Sequence, residues 1–279
     1  MTPYAVHLRA RRREAGVDAR RGTSGRATQW LRGEIVGGGL QTGGVSLVVE
    51  PYRERLTRVP GAVLWTRTAE GGEYRILPDG CMDLLLTDRE LIVAGPDSRA
   101  WTGSAEAGTR YAGIRFAPGT APGFLGVPAR ELLNERVLLR DLWSPARSRR
   151  LLDRVRSAAD PALALEEAAV SLAEEPPDRL ITHVLRSVRN GMLRGRAGVL
   201  DLASSVGLSE RQLHRRCLNA FGYGPKMLDR VLRMNVALDQ ARTGIALADV
   251  AVLTGYADQA HLTRDVRALT GVPPRVLLR

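Results

Sequence analysis

Leu202-Ala203-Ser204-Ser205-Val206-Gly207-Leu208-Ser209-Glu210-Arg211-Gln212-Leu213 returns in altered form 48 positions later as Val250-Ala251-Val252-Leu253-Thr254-Gly255-Tyr256-Ala257-Asp258-Gln259-Ala260-His261-Leu262. Each copy has a small Ala, a Gly four residues on, an apolar residue directly after that Gly and a capping residue ahead of a second helix. A helix-turn-helix asks for those types at those places. Ala203 and Ala251 let the second helix approach the first, and Gly207 and Gly255 supply the left-handed backbone that ends it. Leu208 and Tyr256 plug the angle between helices. Ser209 with Gln212 makes a capping box and Asp258 caps the second copy. Leu213, Leu218 and Phe221, then Leu262, Val266 and Leu269, are the expected inward faces. The second copy carries one extra turn residue, which shifts its helix slightly in register.

Between the copies, Pro225 to about Arg242 is free of Gly and of further Pro, with Met227, Leu228, Val231, Leu232, Met234, Val236, Ala237 and Leu238 in helical periods. A helix of about 18 residues spans roughly 27 Å, and successive major-groove faces on one side of B-DNA lie about 34 Å apart. With the flanking turns added, one stiff rod places both second helices in adjacent grooves. The charge distribution agrees. Overall 41 basic residues face 30 acidic ones, and the balances are +5 for residues 1–44, −2 for 45–180 and +8 for 181–279. An acidic middle before a strongly basic last third is expected where one domain meets a polyanion. Lys226 is the single lysine among the basic residues, so the arginine total reflects coding bias and only its placement is informative.

On the first of the paired helices, Arg211, His214 and Arg215 fall at i, i+3 and i+4, one face opposite Leu213. Gln259, His261 and Arg264 hold comparable places on the second. These six are the candidate DNA-binding residues, since Arg prefers guanine edges and Gln adenine; the plainer alternative is a solvated face. Ser209, Asp258 and Thr263 either orient on phosphates or cap and pack, while Arg216 and Arg267 add nonspecific charge.

Residues 1–44 carry Arg11-Arg12-Arg13, Arg20-Arg21 and Gly37-Gly38-Gly39 with little apolar periodicity, and are expected to be a disordered basic extension. From Val45 to about Leu142 short strand-like runs recur: Val45–Val49, Ala62–Thr66, Tyr74–Leu77, Met82–Leu86, Leu91–Val93 and Tyr111–Phe116, separated by turns such as Pro78-Asp79-Gly80. Pro145 to Ala158 and Pro161 to Glu174 read as amphipathic helices, and Glu174 to Asp178 as a linker. The expected fold is α+β: an antiparallel β sandwich or barrel with connecting helices over 45–176, a sensor and dimerisation domain, then an all-α double helix-turn-helix domain over 177–279.

Enzyme chemistry finds few footholds. The histidines are His7, His183, His214 and His261, so residues 45–180 hold none and a His-based metal site there is excluded. Asp79, Cys81 and Asp83 form the one tempting cluster. They either line a pocket with Cys81 as nucleophile or make a turn feeding a strand, with Cys81 a small hydrophobe. Trp65, Trp101 and Trp143 either enclose a ligand or pack singly. No phosphate loop or nucleophile elbow occurs, so no catalytic residue, metal or cofactor is assigned. Two distant cysteines fit a reducing compartment. No apolar run approaches the roughly 18 residues of a membrane span, and the Arg-rich N-terminus lacks a secretory core; the expected location is cytoplasmic.

These residues also carry a resemblance. Residues about 181–279 resemble the DNA-binding domain of the AraC/XylS family of bacterial transcriptional regulators. The stretch Ala248 to Arg264, running on to Thr270-Gly271-Val272-Pro273-Pro274, is similar to the most diagnostic part of that family, and Cys217 stands where an aromatic residue is common. Leu77-Pro78-Asp79-Gly80-Cys81-Met82-Asp83 to Leu142-Trp143 is similar to a sensor-like domain of a subset of the family. The resemblance implies a one-component activator or repressor that binds double-stranded operator DNA, with Gln259, His261 and Arg264 at base-contacting positions. It also implies a small-molecule effector and RNA polymerase as partners; a second copy of the chain is expected as a further partner from the apolar faces of the helices of 145–174. The alternative is a DNA-tethered ligand-binding enzyme using Cys81.

Overall fold

The computed structural model of this 279-residue chain describes residues 35–36, 52–87, 89–172, 178–194 and 197–278. The expected strand at Val45–Val49, the stretch 173–177 of the linker region and all of 1–44 except Ile35–Val36 lie outside them. Those two residues form β1, which pairs antiparallel with β4 (Gly72–Ile76). Within the span read as a disordered arm, then, Ile35–Val36 belong to a sheet.

Two antiparallel sheets follow. The smaller has the order β1-β4-β7, with β7 at Trp101–Ala105. The larger has the order β2-β3-β8-β5-β6-β9, built from β2 (Arg53–Leu56), β3 (Ala62–Thr68), β5 (Met82–Leu86), β6 (Leu91–Ala94), β8 (Arg110–Phe116) and β9 (Arg136–Leu138). β2, β7 and β9 were not among the expected strands. Arg53–Leu56 is too charged and Trp101–Ala105 too rich in small residues to stand out.

The register explains why the core strands read as continuous apolar runs. Leu64, Ile114, Leu84, Val93 and Val137 stand opposite one another across five strands. This row meets helices α1 (Ala121–Leu125), α2 (Leu139–Leu142), α3 (Pro145–Ser157) and α4 (Pro161–Leu172), where Phe124, Leu139, Trp143, Val155 and Leu165 close the main core. One residue along each strand, Trp65, Leu85 and Ile92 point to the other face with Tyr111, and Ala105 of the smaller sheet packs there. Both faces are covered, so the alternation of a half-exposed sheet is absent. Glycine is required at Gly113, where a Cβ would lie 2.5 Å from the Trp65 indole.

The remaining helices are α5 (Arg179–Arg189), α6 (Gly198–Ser205), α7 (Glu210–Phe221), α8 (Pro225–Arg242), α9 (Leu247–Leu253), α10 (Gln259–Thr270) and α11 (Pro274–Leu277). The rod between the repeats has the ends that the sequence set. Leu228, Val231, Met234, Ala237 and Leu238 of α8 are buried between the two helix pairs. Among the described residues no helix is long and apolar enough to cross a membrane.

Candidate nucleic-acid interface

Both helix pairs are built as their residue types require. Ala203 and Ala251 are fully buried, and Gly207 and Gly255 adopt φ of 67° and 76°. Leu208 N–H then donates to the Ala203 carbonyl at 2.9 Å, and Tyr256 N–H to that of Ala251 at 2.8 Å, which fixes the turn geometry twice over. Ser209 and Gln212 exchange the two bonds of the capping box at the start of α7. Asp258 accepts the His261 N–H at 2.6 Å at the start of α10.

The inward faces need one correction. Leu213 and Phe221 are buried, but Leu218 is half-exposed and Cys217 takes its place in the core at 0% exposure. Cys217 sits four residues after Leu213, one helical turn on, whereas Leu218 falls a further 100° round. It lines a concavity of about 430 Å³ with Arg211, Gln212, His214 and Arg215. Leu262, Val266 and Leu269 are buried in the second pair.

The structure brings Arg211, His214 and Arg215 together on the exposed side of α7. The His214 ring lies back over the turn into α8, where a Cβ on Gly224 would come within 2.5 Å of its Cε1. Arg264 is exposed on α10, and Gln259 and His261 are half-exposed. His261 also belongs to the turn. Its Nδ1 accepts the Ala257 N–H at 3.4 Å and its ring meets Tyr256 edge-on with centroids 5.2 Å apart. Arg267 is exposed, and Arg216 approaches Asp178 at 3.9 Å.

Behind α10 lies a polar hub that the periodicity did not single out. The Asp265 carboxylate, 8% exposed, accepts Arg230 Nε at 2.8 Å and Nη2 at 2.6 Å, and the Tyr256 hydroxyl at 3.2 Å. Arg233 stands 3.8 Å from its second oxygen and 4.3 Å over the Tyr256 ring. Asp265 thus ties α10 to α8. The signal was present: an acid three residues after buried Leu262, with arginines at i and i+3 on the facing rod.

The Asp79–Cys81–Asp83 cluster separates into packing roles. Asp79 Oδ1 accepts the Cys81 N–H at 2.8 Å, and Asp83 holds Trp65 Nε1 at 2.8 Å and Arg115 Nε at 3.1 Å. Cys81 is buried against Val63 and Ala117. Burial, then the neighbouring Asp79, pushes its thiol well above the usual range, so the reactive thiolate is suppressed rather than promoted. Burial alone pushes Cys217 up to about 12. The tryptophans do not enclose one cavity. Trp143 belongs to the main core, Trp65 to the opposite sheet face, and Trp101 lies under the Arg136 guanidinium at 4.5 Å.

Two stretches of the chain match known families. Residues 202–279 match a family described as a helix-turn-helix domain. Residues 62–138, most of the larger sheet, match a domain of unknown function, DUF6597. Among solved structures, apo ToxT from Vibrio cholerae strain SCE256 is 11% identical with a TM-score of 0.43, the match covering 81% of this chain and 98% of that one. Wild-type ToxT with bound unsaturated fatty acid, from the same strain, is 12% identical with a TM-score of 0.41, covering 78% and 94%. ToxT from V. cholerae O395 is 10% identical with a TM-score of 0.39, covering 81% and 96%. No curated protein matches.

Proposed function

We propose, from the premise that residues 202–279 are an AraC-type helix-turn-helix domain and the chain a DNA-binding transcriptional regulator, that α7 and α10 enter adjacent major grooves of one operator duplex. Arg211, His214 and Arg215 would read one segment and Gln259, His261 and Arg264 the other. The observation that carries this is the pairing itself: two capped helices, each with its basic or amide-bearing side at the surface, on opposite ends of an 18-residue rod. In this reading the described sheets and α1–α4 form a sensor domain that passes an effector signal to the helices beyond residue 178. RNA polymerase is the expected downstream partner. Exposed Leu163 and Val170 on α4 give a second copy an apolar stripe to pair on.

The test is enrichment of duplexes from a random pool by the full chain, then Arg264→Ala on the enriched sequence and on random DNA. A base contact predicts a loss of about 1–3 kcal/mol confined to the enriched sequence. Equal loss on both would make Arg264 a phosphate contact, and no enrichment by the wild-type chain would overturn the reading.

A further inference from the structure

We infer that the β6–β7 loop, residues 95–100, together with Arg75 of β4, is a positioning element that fixes the two reading helices relative to each other, so that the β-rich part sets the operator spacing the helical part accepts. This rests on the DNA-binding reading above.

A helix C-terminus presents carbonyls with no partner in the helix itself. At the end of α10 two of these are taken by residues far away in sequence. The Ala100 N–H donates to the Leu269 carbonyl at 2.7 Å, and Arg75 Nη1 donates to the Thr270 carbonyl at 2.6 Å. A guanidinium there also suits the negative end of the helix dipole. At the end of α7 the same loop makes contact through Pro96. Gly222 terminates the helix at φ 84°, and a Cβ on it would lie 2.6 Å from Pro96 Cγ and 3.4 Å from the Ala129 carbonyl oxygen. Arg130, one residue on, pairs with Asn219 of α7. Residues 96 and 100 thus touch the ends of different reading helices, and four peptide units span at most about 14 Å.

The loop is rigid enough to act as a ruler. Asp97 and Arg136, each 7% exposed, form a two-pronged ion pair at 3.0 and 2.6 Å. Asn134, held at φ 58°, accepts the Ser98 N–H at 2.8 Å and its hydroxyl at 3.1 Å. The Gly95 N–H donates to the Glu135 carbonyl and the Asn134 N–H to that of Pro96. A third tie reaches the rod: Asn235 Nδ2 donates to the Pro78 carbonyl at 2.9 Å. Every contact named on α7 and α10 is at the C-terminal end, whereas Arg211, His214, Arg215, Gln259, His261 and Arg264 occupy the first two turns. The clamp therefore grips both helices without covering the surface they offer to DNA.

The experiment uses the full chain and the duplex it enriches best. Affinity is measured on that duplex and on versions with one base pair inserted between the two contacted segments. The wild-type chain is expected to lose about tenfold or more on insertion, and Arg75→Ala/Ala100→Pro no more than about threefold, because the freed helices adjust. Arg75→Ala alone leaves the backbone intact and should fall between, with Arg75→Lys restoring the discrimination. If Ala100→Pro perturbs folding, Arg75→Ala carries the test. A spacing penalty in Arg75→Ala equal to that of the wild type overturns the inference while leaving the DNA-binding reading in place. Failure of the wild-type chain to enrich any duplex defeats that reading instead.

Discussion

Replacing Asp265 with Ala should be among the most damaging single changes in the helical half that touch no DNA. The carboxylate accepts from Arg230 twice and from the Tyr256 hydroxyl. The losses are unequal. Arg230, with 40% of its side chain exposed, turns to water, so its share is small, about 0–1 kcal/mol. Arg233, 13% exposed, keeps Asp229 within 4.0 Å. Tyr256 is only 4% exposed, and stranding its hydroxyl costs about 1–3 kcal/mol. The sum is about 1–4 kcal/mol, at most comparable to the penalty for breaking a wholly buried pair. Asp265→Asn keeps an acceptor for Tyr256 and should cost about half as much. Urea unfolding at neutral pH measures both variants, and a double-mutant cycle with Arg230→Ala should return a coupling of about 0.5–1 kcal/mol. Asp265→Ala within about 0.5 kcal/mol of the wild type would refute the reasoning, because it would mean that the hydroxyl finds another partner and the hub holds nothing.

Three further outcomes are expected. Neither Cys81 nor Cys217 should react with a disulfide reagent at pH 8 in the folded chain, and both should react on unfolding; fast labelling of Cys81 would revive a nucleophilic role. Burial pushes the Glu166 carboxyl up, but the Arg58 N–H at 2.7 Å and the Arg55 and Arg58 guanidinium groups outweigh it and hold the group below its usual value of 4.5. Its contribution to stability is then present above that value and lost as pH falls through the lower folded one, so Glu166→Gln should be markedly less stable than the wild type at pH 7 and draw level in acid, as read by melting curves across pH. Gly222→Ala combines a left-handed backbone with the Pro96 contact and should destabilise by at least about 1–3 kcal/mol in the same melts, whereas Gly244→Ala, also left-handed but with open space around it, should cost only the backbone share.

The helical third was legible because its rules are local. Caps, a turn glycine and a 3.6-residue period lie within a dozen positions of one another, and α7, α8 and α10 start and stop where those signals stand. The sheet was legible only where strands cross the middle. Leu64, Leu84, Val93 and Ile114 announce themselves, but the edge strand Arg53–Leu56 carries charges at successive positions and is hidden by its composition, although its partner β3 lies only 7 to 13 positions on. Leu218 was misplaced because the apolar pattern allowed either it or Cys217 inward, and a small thiol fits the tighter position. The six candidate DNA-contacting residues could be named from periodicity and caps. What lies behind them could not, since Ala100, Arg75 and Pro96 become relevant only when partners 169, 195 and 126 positions further along the chain fold back.

Leu77 is 1% exposed, yet it packs with Ile181, Phe221 and the buried side of the rod rather than with its own sheet. It is a peg driven into a socket on the neighbouring unit, and withdrawing such a side chain to water costs about 2–3 kcal/mol. Anyone trimming the chain to its last hundred residues would leave that socket open and sticky. A soluble fragment would need the hole lined afresh, for example with a polar residue at Ile181.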